Sequence, residues 1–407
     1  MSFFMKYIVL LGDGMADYPL KELGGKTPLM VARTPHLDFM VKEGVLGRVQ
    51  TVPPGLAPGS DVAILSVMGY DPKVFYPGRA PLEAASMKIQ LGPEDVAFRC
   101  NLVTFKVKNT RLVMEDYSAG HISNEDAHAI IKILNEALGD EQFLFYPGVS
   151  YRHLMIWKKG KSTLKTIPPH DITGKEIEPH LPQGKGAGRL IALMEKSKKI
   201  LLNASINQSR KQRGDKEVSS IWLWGQGKRL SIPSFKEKYH CTGAVISAVD
   251  LIKGIGISAG LETIYVPGAT GFLDTNYCGK AEYAINALKN KDFVFVHVEA
   301  PDEASHNGCI EDKIKAIEDF DKKVVGTVLE QIKQFPLVRV LVLPDHATPI
   351  QLKTHASDPV PFAIYPAPEG INSENFYSFD EESAANAKLF ISKGHKLMDF
   401  FIFGKSI

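Results

Sequence analysis

Cysteine is scarce in this 407-residue chain. The four present, Cys100, Cys241, Cys278 and Cys309, include no C-x-x-C pair. So few thiols exclude a disulfide framework and fit a reducing cytoplasm. No hydrophobic run is long enough to span a bilayer. The N-terminal run Tyr7-Ile8-Val9-Leu10-Leu11 is far too short and lacks a small-residue cleavage site, so it reads as a buried strand, with no membrane partner. No block of like charges suggests a nucleic-acid arm, and the formal net charge is only +2. The most basic stretch, 209–216, reads as a solvated loop, because its aromatic neighbours Trp222 and Trp224 fall in the next segment. There is no internal repeat and no low-complexity segment.

What remains is ordinary for a soluble globular protein: 44% hydrophobic and 23% charged residues. The length predicts two or three domains. Three short apolar runs share one pattern. Residues 6–11 end in Gly12-Asp13-Gly14, 293–298 precede Glu299 and Asp302, and 338–343 precede Asp345 and His346. Each reads as a core strand of a parallel sheet. Between the last two, Ile310, Ile314, Ile317, Phe320, Val324, Val328 and Ile332 recur at helical spacing. The unit is therefore βαβ. Residues 71–235 differ, with shorter strand-like pieces such as 101–106 and 111–114, and turn clusters such as Pro168-Pro169-His170-Asp171. They read as an α+β insertion. The expected architecture is a mostly parallel α/β domain of residues 1–70 and 236–407, interrupted by an insertion at 71–235.

Ligands of open parallel sheets bind outside the carboxyl ends of the strands. Those ends offer Asp13, then Asp302 and His306, then Asp345 and His346, with His355 nine residues on. Asp302 and His306 are four apart and face one way on a helix. Taken singly, each is an ordinary turn, cap or surface residue. Their convergence on one sheet edge argues for metals. Mixed Asp and His donors suit Mn²⁺, Zn²⁺ or Mg²⁺ and argue against Ca²⁺. Two such sets imply two ions, roughly 4 Å apart as in other paired sites. Ser60 ends a Pro/Gly-rich stretch and opens the apolar run 61–68. Locally it reads as a helix N-cap. The same position suits a nucleophile, because a helix N-terminus favours an attached phosphate.

Four segments, Leu10-Leu11-Gly12-Asp13-Gly14-Met15, Ala57-Pro58-Gly59-Ser60-Asp61-Val62-Ala63, Pro301-Asp302-Glu303-Ala304-Ser305-His306 and Asp345-His346-Ala347-Thr348, resemble the metal and nucleophile motifs of the alkaline phosphatase superfamily. The likeness is strongest to archaeal-type 2,3-bisphosphoglycerate-independent phosphoglycerate mutases. It extends through Tyr76-Pro77-Gly78-Arg79-Ala80-Pro81-Leu82-Glu83, Phe98-Arg99-Cys100-Asn101-Leu102, Tyr151-Arg152-His153-Leu154 and Trp222-Leu223-Trp224-Gly225-Gln226-Gly227. The resemblance implies an alkaline-phosphatase-like fold with an inserted lid. It also implies a phosphoserine on Ser60 and no 2,3-bisphosphoglycerate. One metal would be held by Asp13, Ser60, Asp345 and His346, the other by Asp302, His306 and His355, with manganese first and cobalt, magnesium or zinc as alternatives. For the phosphoglycerate substrate, the expected binding residues are Arg79, Arg99, His121, Arg152 and His153, with Lys253 from the metal domain. Arginine forks match both phosphate and carboxylate. The tryptophans are expected to pack between elements. Another enzyme on the same metal core, such as a phosphomonoesterase, phosphonate hydrolase or phosphopentomutase, is the principal alternative. A metal-binding protein without turnover is the other.

Overall fold

The computed structural model describes residues 5–371 and 375–404. Among them the strands are, in chain order, β1 (Lys6–Gly12), β2 (Val45–Val49), β3 (Val96–Lys108), β4 (Arg111–Asp116), β5 (Phe143–Val149), β6 (Arg152–Trp157), β7 (Ser220–Gly227), β8 (Gly243–Ile246), β9 (Glu262–Thr263), β10 (Phe293–Val298), β11 (Val338–Leu343), β12 (Val360–Tyr365) and β13 (Phe390–Ile391). The chain divides into two compact units, residues 1–76 with 231–407, and residues 77–230. Residues 71–76 and 231–235, which the sequence pattern groups with the insertion, belong to the first unit.

The first unit holds an eight-stranded sheet in the order β13-β2-β12-β11-β1-β10-β8-β9. β1 pairs in parallel with both β10 and β11, and only β12 runs against its neighbours. The α/β class and the mostly parallel sheet are as expected. The three apolar runs are continuous because both faces of this sheet are covered. Ile8 and Leu10 face the cluster that includes Ala281, Ile317, Phe320 and Val324. On the other side, Tyr7 packs against Phe401 and Phe293 against Phe235, at ring distances of 5.4 and 4.3 Å. Each Val, Leu or Ile so buried contributes about 1.5–3 kcal/mol. The ladder has a direct consequence for the site. Parallel pairing sets Gly12 beside Val298 and Leu11 beside Leu343, so the residues that follow each strand emerge along one edge.

The helix between β10 and β11 is not the uniform one expected. It runs as α-helix over Ile310–Phe320, loosens to a π-turn over Asp321–Val325, and resumes over Gly326–Gln331. The buried Asp321 in that turn is held from outside the helix, accepting from the backbone N–H groups of His36 and Leu37. Such turns accommodate an element that packs against the helix.

The second unit is antiparallel. Its sheet runs β4-β3-β6-β5, and β7 pairs with β3. Helices Asn124–Leu138 and Ala187–Leu202 cover one face through Phe98, Cys100 and Leu102. Helix Arg79–Ser86 covers the other through Ala97, Leu154 and Ile156. The basic stretch expected to be a solvated loop is partly the helix Ser205–Gln212, and Arg210 is buried. Arg210 and Arg213 both donate to Asp126, which neutralises charges that sequence alone assigns to solvent.

Candidate functional site

Along the carboxyl edge of the parallel sheet, seven residues singled out by sequence gather in the first unit. Asp13 follows β1 directly and is buried. Its neighbour Gly14 has φ +62°, and a Cβ there would sit 2.6 Å from both Asp302 Oδ1 and Thr348 Oγ1. Glycine is required at this turn both for its conformation and for the space it leaves. Asp302 and His306 occupy the helix Ala300–Asn307, where His306 Nε2 stands 3.1 Å from Asp302 Oδ2. Asp345 and His346 leave the end of β11. His346 Nε2 lies 3.3 Å from Asp345 Oδ2 and 3.6 Å from Asp13 Oδ1. His355 Nε2 approaches His306 Nε2 to 3.1 Å and Asp302 Oδ1 to 3.7 Å.

Ser60 corrects its local reading. The N-cap of the helix Ser60–Val67 is Gly59, so Ser60 is the first helical residue. Its hydroxyl donates to Asp13 Oδ2 at 3.3 Å and stands 3.2 Å from His346 Nε2.

The donor set fits divalent cations on three observations. Among the described residues, two groups bring ligand atoms within 4.8 Å of one another: Asp13, Asp345 and His346, and Asp302, His346 and His355. His346 belongs to both, while His306 adjoins the second. Asp13 Oδ1 and Asp345 Oδ2 are buried without a hydrogen-bond partner, a costly state that a cation relieves. The imidazoles are also oriented for it. His306 Nδ1 bonds the Lys353 carbonyl at 3.0 Å and His346 Nδ1 bonds Thr348 Oγ1 at 3.1 Å, which leaves each Nε2 facing inward.

The electrostatics agree. Burial, with the carboxylates of Asp345 and Asp302 facing it, pushes Asp13 well above the usual carboxylate range. Burial works in the same direction on Asp302, but hydrogen bonds from His306 and His355 bring it well below that range. In return Asp302 raises His306 to about 9. The cluster therefore takes up protons where a cation would displace them.

Three partners of this cluster carried no sequence assignment. His297 Nε2 is 2.8 Å from Asp13 Oδ2, and Ser247 Oγ is 3.1 Å from His297 Nδ1. Burial and the nearby Lys280 lower His297 to about 3, so the ring is neutral. Thr348 Oγ1 donates to Asp302 Oδ1 at 2.5 Å. For His297 a signal existed in the sequence, a lone histidine inside an otherwise apolar strand. Lys253 does not enter the donor cluster's hydrogen bonds, and its ammonium is engaged by Asp250 at 3.2 Å.

The second unit carries a cationic face. Arg99 is 7% exposed, with its guanidinium 4.5 Å from the Trp224 ring and Nε 3.2 Å from Glu83 Oε2, off the line of a hydrogen bond. Burial lowers its pKa, Glu83 opposes this, and Arg79 and Arg152 add to the lowering, so the three guanidinium groups share one field. β6 pairs with β3 so that Arg152 faces Asn101 and His153 faces Cys100. Arg152 therefore shares the face of Arg99, whereas His153 points to the opposite, buried face. There Gly148 N–H donates to His153 Nδ1 at 2.9 Å, and burial lowers the ring to about 3. The structure does not bring His153 to the arginines.

A chain of ring contacts borders that face. His121 meets Tyr151, Tyr151 meets Tyr117, Tyr117 meets His170 and His170 meets Trp224, at 6.0, 5.6, 6.0 and 5.5 Å. His170, read from sequence as part of a turn, has its pKa lowered by burial, against the pull of Asp171, and further by Arg79 and Arg99. His121 sits in a strained loop, since Ala119, Gly120 and His121 all have positive φ. Trp224 packs as expected and also supports Arg99.

Known proteins resemble this chain in sequence and in fold. A family model described as 2,3-bisphosphoglycerate-independent phosphoglycerate mutase matches residues 41–207. A relative from Geobacter sulfurreducens is 54% identical over 400 residues, covering 98% of this chain and all of that protein. A 2,3-bisphosphoglycerate-independent phosphoglycerate mutase from Methanosarcina barkeri is 53% identical over 405 residues, with the same coverage. The solved cofactor-independent phosphoglycerate mutase of Thermoplasma acidophilum is 26% identical at a TM-score of 0.68, covering 99% of this chain and all of that one. By this likeness along its whole length, the chain belongs to the 2,3-bisphosphoglycerate-independent phosphoglycerate mutase family.

Proposed function

We propose that this protein interconverts 3-phosphoglycerate and 2-phosphoglycerate without 2,3-bisphosphoglycerate, using Ser60 as the nucleophile. The observation that carries the reading is the Ser60 hydroxyl, which lies against Asp13 and His346 inside the donor cluster instead of capping its helix. Asp13, Ser60, Asp345 and His346 would hold one divalent ion, and Asp302, His306 and His355 the other, manganese first among manganese, cobalt, magnesium and zinc. When bound, the ions lower the pKa of the serine hydroxyl and offset charge on the phosphoryl oxygens.

The chain's own residues do the rest. Ser60 Oγ gives up its proton and forms a bond to phosphorus as the bond to the 3-oxygen of the substrate breaks, and that oxygen takes up a proton. The N–H groups at the start of helix Ser60–Val67 favour the phosphate so attached. Glycerate then turns, and its 2-hydroxyl gives up its proton and takes the phosphoryl group back as the Oγ–P bond breaks and Oγ regains a proton. No water is consumed and free Ser60 is restored, so no phosphorylated cofactor is needed to prime a cycle. The insertion would act as the substrate-binding lid. Arg79, Arg99 and Arg152 would supply its positive face for phosphate and carboxylate, bordered by His121 and His170. Among the described residues no helix is long and apolar enough to cross a membrane. The four cysteines are free thiols, and we place the reaction in a reducing cytoplasm.

The test is a coupled assay of 3-phosphoglycerate conversion, run with and without 2,3-bisphosphoglycerate. Mn²⁺ alone is expected to support turnover, and extensively chelated protein to be inactive until Mn²⁺ or Co²⁺ is restored. Release of inorganic phosphate without 2-phosphoglycerate would identify a hydrolase on the same core. Full activity in metal-free protein would remove the metals from the scheme.

A further inference from the structure

β10 buries six residues, five of them apolar and the sixth His297. A fully buried imidazole needs partners at both nitrogens, and here each partner sets the direction of its bond. With a cation on Asp13 its carboxylate can only accept, so in that state the proton of His297 belongs on Nε2, 2.8 Å from Asp13 Oδ2. Nδ1 then presents a lone pair to Ser247 Oγ at 3.1 Å, which must donate to it. Ser247 Oγ is free to do so, because its own accepting side takes the backbone N–H of Val249 at 3.0 Å. The imidazole is held along the strand as well, since Lys280 Nζ donates to the His297 carbonyl at 3.0 Å. A directed chain thus runs from Val249 through Ser247 and His297 to one oxygen of Asp13. That same oxygen accepts from Ser60 at 3.3 Å, and the other, Oδ1, is left without a hydrogen bond.

We propose that Ser247 and His297 are positioning residues that fix one oxygen of Asp13 and so turn the other toward the cation. The inference rests on the two-metal reading above. Ser247 touches no ligand, yet it selects the tautomer of His297. Without its hydroxyl the ring can carry its proton on Nδ1, and Nε2 then meets the Asp13 carboxylate as lone pair against lone pair. Partners of this kind alter metal affinity roughly 10–100-fold in other sites.

The experiment is calorimetric titration of the metal-stripped full-length protein with Mn²⁺, at a temperature where circular dichroism shows every variant folded. Ser247→Ala should weaken one of the two binding steps roughly 10-fold or more and leave the other unchanged. His297→Leu should weaken the same step. Ser247→Thr, which keeps the hydroxyl, and His297→Gln, which keeps an N–H donor near the Nε2 position, should each restore most of the affinity. The double variant Ser247→Ala/His297→Leu should match His297→Leu alone, because Ser247 acts only through the ring. Unchanged Mn²⁺ binding in Ser247→Ala, or additive losses in the double variant, would overturn the relay while leaving the metal site standing. Wild-type protein that binds no Mn²⁺ would overturn the metal reading and the relay together.

Discussion

Ser60 shows how a serine at the start of a helix can be put to a use other than capping. At the first turn of a helix, a serine commonly accepts a backbone N–H, and that use would place its oxygen over the helix axis. Here Gly59 precedes the helix, and the Ser60 hydroxyl turns to Asp13 and His346. Ser60→Ala should therefore cost little stability but lower mutase turnover by several orders of magnitude, as loss of a nucleophile does elsewhere. Acid-quenched wild type given labelled substrate should carry phosphate on Ser60. Substantial turnover in the alanine variant would place the nucleophile elsewhere. A second residue yields a pH dependence. Glu381 is half-buried, accepting from Asp17 N–H at 2.9 Å and Thr27 Oγ1 at 2.7 Å, and desolvation of its carboxyl raises it to about 7 against those bonds. A carboxyl group raised in the folded state binds its proton more tightly there than in the unfolded chain, where its pKa is about 4.3. Its stabilising contribution is complete below that unfolded value and is lost as pH rises through about 7. Glu381→Gln removes the titration but keeps the shape. The melting temperature of wild type minus that of the variant should fall across this window and then level off. Parallel curves would show that Glu381 does not titrate there.

At the level of elements, the site is a product of register. β1, β10 and β11 run in parallel, and the residues that leave them come together because neighbouring strands end side by side. This much was legible in the sequence, since strands buried on both faces appear as unbroken apolar runs with a polar residue at the stop. What was not legible depends on packing between distant segments. The π-turn at Asp321–Val325 preserves the apolar repeat that announced a plain helix. β3 starts at Val96, ahead of the strand-like piece read from Asn101, and its pairing with β6 decides which of Arg152 and His153 joins Arg99. Adjacent residues of a strand face opposite ways, so no motif containing both could have made that choice. The tight turn after β1 offers an element-scale test. Gly14→Ala places a Cβ at a positive φ and 2.6 Å from Asp302 Oδ1. Strain and overpacking together should cost about 2–4 kcal/mol, read as a lower denaturation midpoint. Displacement of Asp302 should also weaken Mn²⁺ binding. A variant with wild-type stability and Mn²⁺ affinity would mean that the loop relaxes freely and that Gly14 does not shape the site.

For the molecule as a whole, the chain keeps two kinds of chemistry on two separately packed units. Carboxylates and histidines gather in the unit of residues 1–76 and 231–407, and the arginine face belongs to residues 77–230. A mutase must do more than break a phosphate ester. In the two-transfer scheme proposed above, it would hold glycerate, a small anion, beside a phosphoserine that water could discharge. Metal ligands and a nucleophile suffice for hydrolysis, and retention is the added requirement. If the insertion provides it, weakening the arginine face should change which products form as well as how fast they form. Arg152 is the better first target. It is exposed, with its guanidinium 5.7 Å from the Tyr151 ring, so its removal leaves no buried gap. Arg99 is buried against Trp224, and Arg99→Lys keeps its charge while losing the planar stack and fork. In both variants glycerate should escape from the phosphoenzyme more often, leaving water to release the phosphate from Ser60. The quantity to measure is the ratio of inorganic phosphate to 2-phosphoglycerate formed from 3-phosphoglycerate. It should rise above wild type in Arg152→Ala and Arg99→Lys, even where total turnover falls. A decline of both products at constant ratio would mean that these arginines help substrate to bind but do not hold the intermediate, and retention would then have to come from another part of the chain.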